Sequence, residues 1–101
     1  MMEIIESEKY EDLAAEFQYE MIKILNETLK KHKISEEDRK AICGDFTFGL
    51  SMLLDQGKIL DTIPIVTFSH EDKLYMKTEE FEFHEYAFGN VDEVFDNDKL
   101  K

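Results

Sequence analysis

Two histidines stand among carboxylates late in this chain: His70-Glu71-Asp72, then Glu79, Glu80, Glu82, His84 and Glu85. Read as a strand, the second run has a period of two that puts Glu80, Glu82 and His84 on one face. There an imidazole and carboxylate oxygens could gather round a hard or borderline cation. The competing reading is an amphipathic strand whose outward acids discourage edge-to-edge pairing. That plainer reading is adopted, and no metal or other cofactor is expected. Cys43 is the one thiol, and on a helical wheel it falls beside Leu50 and Leu54, which suits a packed side chain more than a nucleophile. A nucleophilic site also needs a neighbouring base and a group that orients it, and no such constellation is visible. The chain has no G-x-S-x-G, P-loop or dinucleotide fingerprint. Gly44 and Gly49 stand inside a helical stretch, where close approach of another segment explains them better than a phosphate cradle. No catalytic residue is therefore nominated, and a small hydrolase or metal-dependent enzyme ranks third among the functional readings.

Two side chains have odd positions. Asp45 falls between two apolar sectors of its helix, so burial there would demand a donor or raise its pKa. Tyr19 falls on a charged helix side among Asp12, Glu16 and Lys23, the setting of many interface anchors.

The elements that must position these groups are legible from hydrophobic period. From about residue 8 to residue 33, Tyr10, Leu13, Phe17, Met21, Ile24, Leu25 and Thr28 recur at helical spacing, opposite Asp12, Glu16, Glu20, Lys23, Glu27 and Lys30. Acids open this helix and lysines close it, in keeping with its dipole. Ser7 is a plausible N-cap. A second helix spans about 35 to 56, begun by Ser35 with Asp38 and ended by Gly57 as a left-handed C′ residue. Ile42, Phe46, Leu50 and Leu53 form one apolar face and Ala41, Phe48 and Met52 another. Between them runs a narrow stripe read as solvated: Glu37, Lys40, Gly44, Thr47, Ser51 and Asp55. A helix apolar on two sides belongs at the centre, between the first helix and a sheet.

After Gly57 the pattern turns β-like. Strands are expected at 63–68 and 74–76, joined by a turn at Ser69–Asp72, and at 80–88, where the switch in parity of the aromatics means either a bulge near His84–Glu85 or a strand end covered on both faces. Residues 90–95 read as a short C-terminal helical turn. The expected fold is α+β: two N-terminal helices packed on a small antiparallel sheet of about three strands, in ααβββ order, as one domain. Phe17, Ile24, Ile42, Phe46, Leu53, Ile65 and Phe68 are the expected core.

Charge decides which functions are favoured. The 101 residues hold 24 acids against 12 Lys and Arg, a net charge of −12, with 43% of residues apolar. Residues 1–20 sum to −6, residues 21–40 to +2 and residues 71–98 to −8. Nucleic acid and anionic membrane are poor partners for such a surface, because both need clustered Lys and Arg. No apolar run approaches the roughly 18 residues of a membrane span. The acidic opening MMEIIESEKYEDL does not read as a signal peptide, and the lone cysteine fits a reducing compartment, so a cytoplasmic protein is expected. The leading expectation is a small acidic protein-binding module of inhibitor or immunity type that docks on a basic protein partner. Asp12, Glu16, Tyr19 and Glu20 of the first helix, with Glu80, Glu82 and Tyr86 of the later run, are its expected contact residues. The alternative is a self-associating structural or accessory subunit, a homodimer through the second helix.

Overall fold

The computed structural model describes residues 3–100. A strand β1 (Glu3–Glu6) leads into helix α1 (Lys9–Lys31), which turns back through α2 (Glu36–Gln56). A long connection reaches the hairpin of β2 (Phe68–His70) and β3 (Lys73–Met76). A 3₁₀ helix (Phe83–Tyr86) then runs directly into α3 (Ala87–Asp98). The class is α+β with a small three-stranded sheet, but β3 is central and the sheet is mixed. β3 pairs antiparallel with β2 and parallel with β1, Ile5 lying opposite Tyr75.

Local chemistry explains the helix ends. The Ser35 side chain accepts from the Asp38 amide at 3.2 Å, and Ser7 Oγ accepts from the Lys9 amide at 3.1 Å. Gly57 does follow α2, but its φ of −77° is not left-handed. Glycine is required there by space, since a Cβ would lie 2.6 Å from the Leu53 carbonyl oxygen and from its side chain. The turn between β2 and β3 holds Glu71 and Asp72 at φ of 48° and 64°. Two successive left-handed residues match the twist of a tight hairpin.

The packing departs from the expected faces. α1 buries Tyr10, Ala14, Gln18, Ile22 and Asn26, a ridge advancing by four residues that winds around the helix. α2 buries Cys43, Gly44, Thr47 and Ser51. Most of the stripe read as solvated is thus the seam on which α1, α3 and the 3₁₀ helix close. Small side chains let the helices approach, and hydrogen bonds offset the burial of Gln18, Ser51 and Asn26, whereas Thr47 Oγ1 is buried with no hydrogen-bond partner among the described residues. Gln18 Nε2 donates to Ser51 Oγ at 3.0 Å and to the Phe83 carbonyl at 3.1 Å, while its Oε1 accepts from Asn90 at 2.8 Å. Asn26 Oδ1 accepts from Arg39 Nε at 2.9 Å. Val91, Val94 and Phe95 of α3 pack against Ile22 and Cys43. A second cluster joins Tyr10 and Ala14 to Tyr75, Phe81 and Phe83 on the sheet side.

Accordingly Phe17, Ile24, Ile42, Phe46, Leu53 and Ile65 are exposed instead of forming the core, and Phe68 is half-buried. The strand expected at 63–68 is confined to its last residue and the two that follow. The strand expected at 80–88 is absent. Phe81 and Phe83 do alternate into the core, but the parity switch after His84 marks the start of helix. From there Phe83, Ala87, Val91 and Phe95 repeat every four residues and are buried. The expected short C-terminal turn is therefore a helix of 12 residues.

Candidate functional site

Residues 8, 11, 12, 15, 16 and 19 recur every three or four positions and share one side of α1. Two open clefts lie along that side. The first, of about 320 Å³, is walled by Glu8 and Glu11 of the N-terminal segment and by Glu80, Glu82, Glu85 and Tyr86 of the later one. The second, of about 420 Å³, lies between Asp12, Glu16 and Tyr19 on α1 and Asn90 and Glu93 on α3. No Lys or Arg lines either cleft among the described residues. Lys9, the single base of residues 1–20, turns to the sheet, with its ammonium 5.2 Å from the Tyr75 ring centroid.

The two acidic segments, far apart in sequence, thus meet across one surface. Tyr86 donates its hydroxyl hydrogen bond to Glu11 Oε1, linking them directly. Tyr19 is half-buried and its hydroxyl accepts from Asn97 Nδ2 at 2.7 Å. This tie to α3 holds the ring at the cleft rim. Of the seven contact residues expected from sequence, Asp12, Glu16 and Tyr19 line one cleft, and Glu80, Glu82 and Tyr86 the other. Glu20 lines neither and pairs with Lys23 at 3.5 Å. Asp45 is exposed, so the burial that made it a candidate is missing.

The group that holds the cleft wall was hidden in the sequence. Asp55 is the last member of the small polar seam of α2, and its side chain is only 2% exposed. Its Oδ1 accepts from the Phe83 amide at 2.7 Å, and its Oδ2 accepts from the His84 amide and approaches His84 Nδ1, both at 2.8 Å. A buried carboxylate thus caps the 3₁₀ helix at its start and orients the imidazole. Glu82 Oε2 lies 3.2 Å from the same Nδ1. The Asp55 hydrogen bond, followed by the charges of Glu82 and Asp55, raises the His84 pKa against the opposing effect of desolvation. The imidazolium therefore persists above its usual range, and its single charge offsets one of the two carboxylate charges it faces, leaving the group net negative. Beside it Tyr10 donates to the Val66 carbonyl at 2.6 Å; burial first, and the Asp55 charge second, push its pKa to about 12.

Asp55, Glu82 and His84 present potential ligand atoms within 4.8 Å of one another. This differs from the metal-ligating face first considered: Glu82 and His84 do meet, but with Asp55 in place of Glu80. Every Asp55 oxygen is already engaged with backbone or imidazole donors, the arrangement of a structural latch. The thiol of Cys43 is buried, and burial raises its pKa, so it is a packing group. Comparison with protein-family models, with curated proteins and with solved structures finds no match.

Proposed function

We propose that this chain is a protein-binding module whose two acidic clefts receive a basic protein surface, in the manner of an inhibitor or immunity-type protein. The observation that carries this reading is the juxtaposition of the segments. Glu8, Glu11, Asp12 and Glu16 stand with Glu80, Glu82, Glu85 and Glu93 along clefts that, among the described residues, no Lys or Arg lines. A protein that holds like charges together on one face forgoes stability, and such a field is useful for steering a complementary partner. Carboxylates spaced along a groove resemble the phosphates of a nucleic-acid strand. The natural partner class is therefore a protein with a basic cleft, such as a nuclease or a nucleic-acid-binding protein. Tyr19 and Tyr86 on the rims would supply the buried contacts that charge alone does not provide.

The test is capture from native cell extract on immobilised protein at low ionic strength, followed by elution with salt. A basic protein retained at low salt and released as salt rises supports the reading, because a Debye length near 8 Å at physiological salt screens exposed charges. Retention of no basic protein, or retention indifferent to salt, contradicts it.

A further inference from the structure

His84 sits between two carboxylates that differ in their freedom to move. The Asp55 side chain, on α2, is only 2% exposed, and its oxygens accept from the Phe83 and His84 amides at 2.7 and 2.8 Å. Those bonds hold Asp55 whatever charge the imidazole carries. The ring is held as well. Its Nδ1 lies 2.8 Å from Asp55 Oδ2, and the Phe48 ring meets it edge-on with centroids 6.0 Å apart. Glu82 is different. It precedes the 3₁₀ helix, its side chain is 41% exposed, and it lines the first acidic cleft. Among the described residues its one ionic partner is His84, whose Nδ1 is 3.2 Å away.

A single N–H at Nδ1 faces both carboxylates, and Asp55 is the nearer acceptor. Loss of a proton from Nε2 leaves that N–H in place, so the bond to Asp55 survives. What disappears is the positive charge that draws Glu82. One cation and two carboxylates, net −1, become two carboxylates, net −2, with ligand oxygens within 4.8 Å of each other. Like charges that close repel. Only Glu82 can yield, and its open side is the cleft. The other charges near the ring do not restrain it, for Glu85 on the same 3₁₀ helix is acidic too. From α1, Glu11 is bonded to Tyr86, and Tyr10 near Asp55 stays neutral with its pKa pushed to about 12. From α3, Phe88 stacks on Phe48.

We propose that His84 is a proton-operated gate on the first cleft: the imidazolium holds Glu82 back beside Asp55, and the neutral ring releases it to a cationic side chain of a partner. This rests on the reading of the cleft as a docking surface for a basic protein, and adds its regulation. A partner lysine or arginine competes with the imidazolium for the same carboxylate. Affinity should therefore rise with pH, and by reciprocity binding should expel a proton from His84. The Asp55 hydrogen bond foremost places that changeover above the ordinary 6.5.

Two measurements on the whole chain, with a metal chelator present, test the gate. The first needs no partner: NMR titration of the His84 ring and the Glu82 side-chain carboxyl. The Glu82 carboxyl carbon should show a second inflection at the His84 midpoint, and His84→Gln should abolish it. The second is binding of a synthetic oligolysine peptide, at low ionic strength, below and above that midpoint. Wild type should bind about three- to fivefold tighter above it, the effect of one partly exposed ion pair. His84→Gln should bind at the tighter level on both sides, and Glu82→Gln, at an exposed position, should lose most of the pH dependence. His32 and His70 remain in all three proteins, so the differences isolate His84. A Glu82 carboxyl indifferent to His84 overturns the gate, as does a pH dependence unchanged in either variant. Salt-sensitive oligolysine binding that is equal on both sides of the midpoint also overturns it, while leaving the acidic face standing. Oligolysine that binds on neither side overturns the docking reading and the gate with it.

Discussion

Replacing Asp55 by Ala removes one side chain and strands three donors: the amides of Phe83 and His84 and the imidazole Nδ1. Phe83 is 4% exposed, so water cannot readily replace its lost acceptor, and a buried donor left unmade costs about 1–3 kcal/mol. His84 is 25% exposed on its side chain, so solvent compensates much of its share. The expected total is about 2–4 kcal/mol, which for a domain of this size lowers the melting temperature by on the order of 10–20 °C. The pH dependence gives a sharper signature. The folded His84 pKa lies above its ordinary 6.5, so its contribution is fully present below that value and is lost as pH rises through the raised one. Wild-type stability should therefore fall as pH rises above 6.5 and through the raised value, and Asp55→Asn, which keeps the shape but not the charge, should flatten that fall. Urea titrations followed by circular dichroism at several pH values measure both effects. An Asp55→Ala variant within about 0.5 kcal/mol of wild type, the range of ordinary surface changes, would refute the latch. An undiminished pH slope in Asp55→Asn would refute the pairing with His84.

Other outcomes follow from the packing. Phe95→Ala should cost about 3–5 kcal/mol in chemical denaturation because Phe95 is 1% exposed. Phe46→Ala, at 51% exposure, should cost the isolated monomer under about 1 kcal/mol, since little area returns to water. Gln18→Ala breaks the hydrogen bonds to Ser51, Phe83 and Asn90, and equilibrium unfolding should show a loss of about 1–3 kcal/mol. Cys43 should resist thiol reagents in native protein and react promptly after denaturation, because it is fully buried; prompt native labelling would contradict that packing.

Helix positions were readable because capping and composition act locally. The spans expected at 8–33 and 35–56 meet observed helices of Lys9–Lys31 and Glu36–Gln56, and the Ser35 cap is made as expected. Helix faces were not readable, because apolar content pointed to the wrong sides. The buried seam is built from Gly44, Thr47, Ser51, Gln18 and Asn26, and the burial of Ser51, Gln18 and Asn26 rests on hydrogen bonds to other elements. Nothing local in the sequence announces a hydrogen bond between Gln18 and Phe83, 65 residues away. Asp55 was obscure for the same reason, since its amide donors lie 28 and 29 residues downstream. The strand expected at 80–88 failed where that capping carboxylate bends the chain into helix. The acidic segments were plain in composition, but only the fold brings Glu8 and Glu11 beside Glu80 and Glu85.

The most direct test of the acidic face uses two variants of equal net charge. One reverses Asp12, Glu16 and Glu93 to Lys, on the second cleft. The other reverses Glu27, Glu36 and Glu37, which line neither acidic cleft. Association rates with the captured basic partner are measured by stopped flow across a range of ionic strength. Steering by a local field is worth about 10- to 1,000-fold in rate. The cleft variant should therefore slow at least tenfold at low salt and lose most of its salt dependence, while the control stays much closer to wild type. Equal slowing of both variants would reduce the effect to net charge. An unchanged rate for the cleft variant would contradict docking through this face.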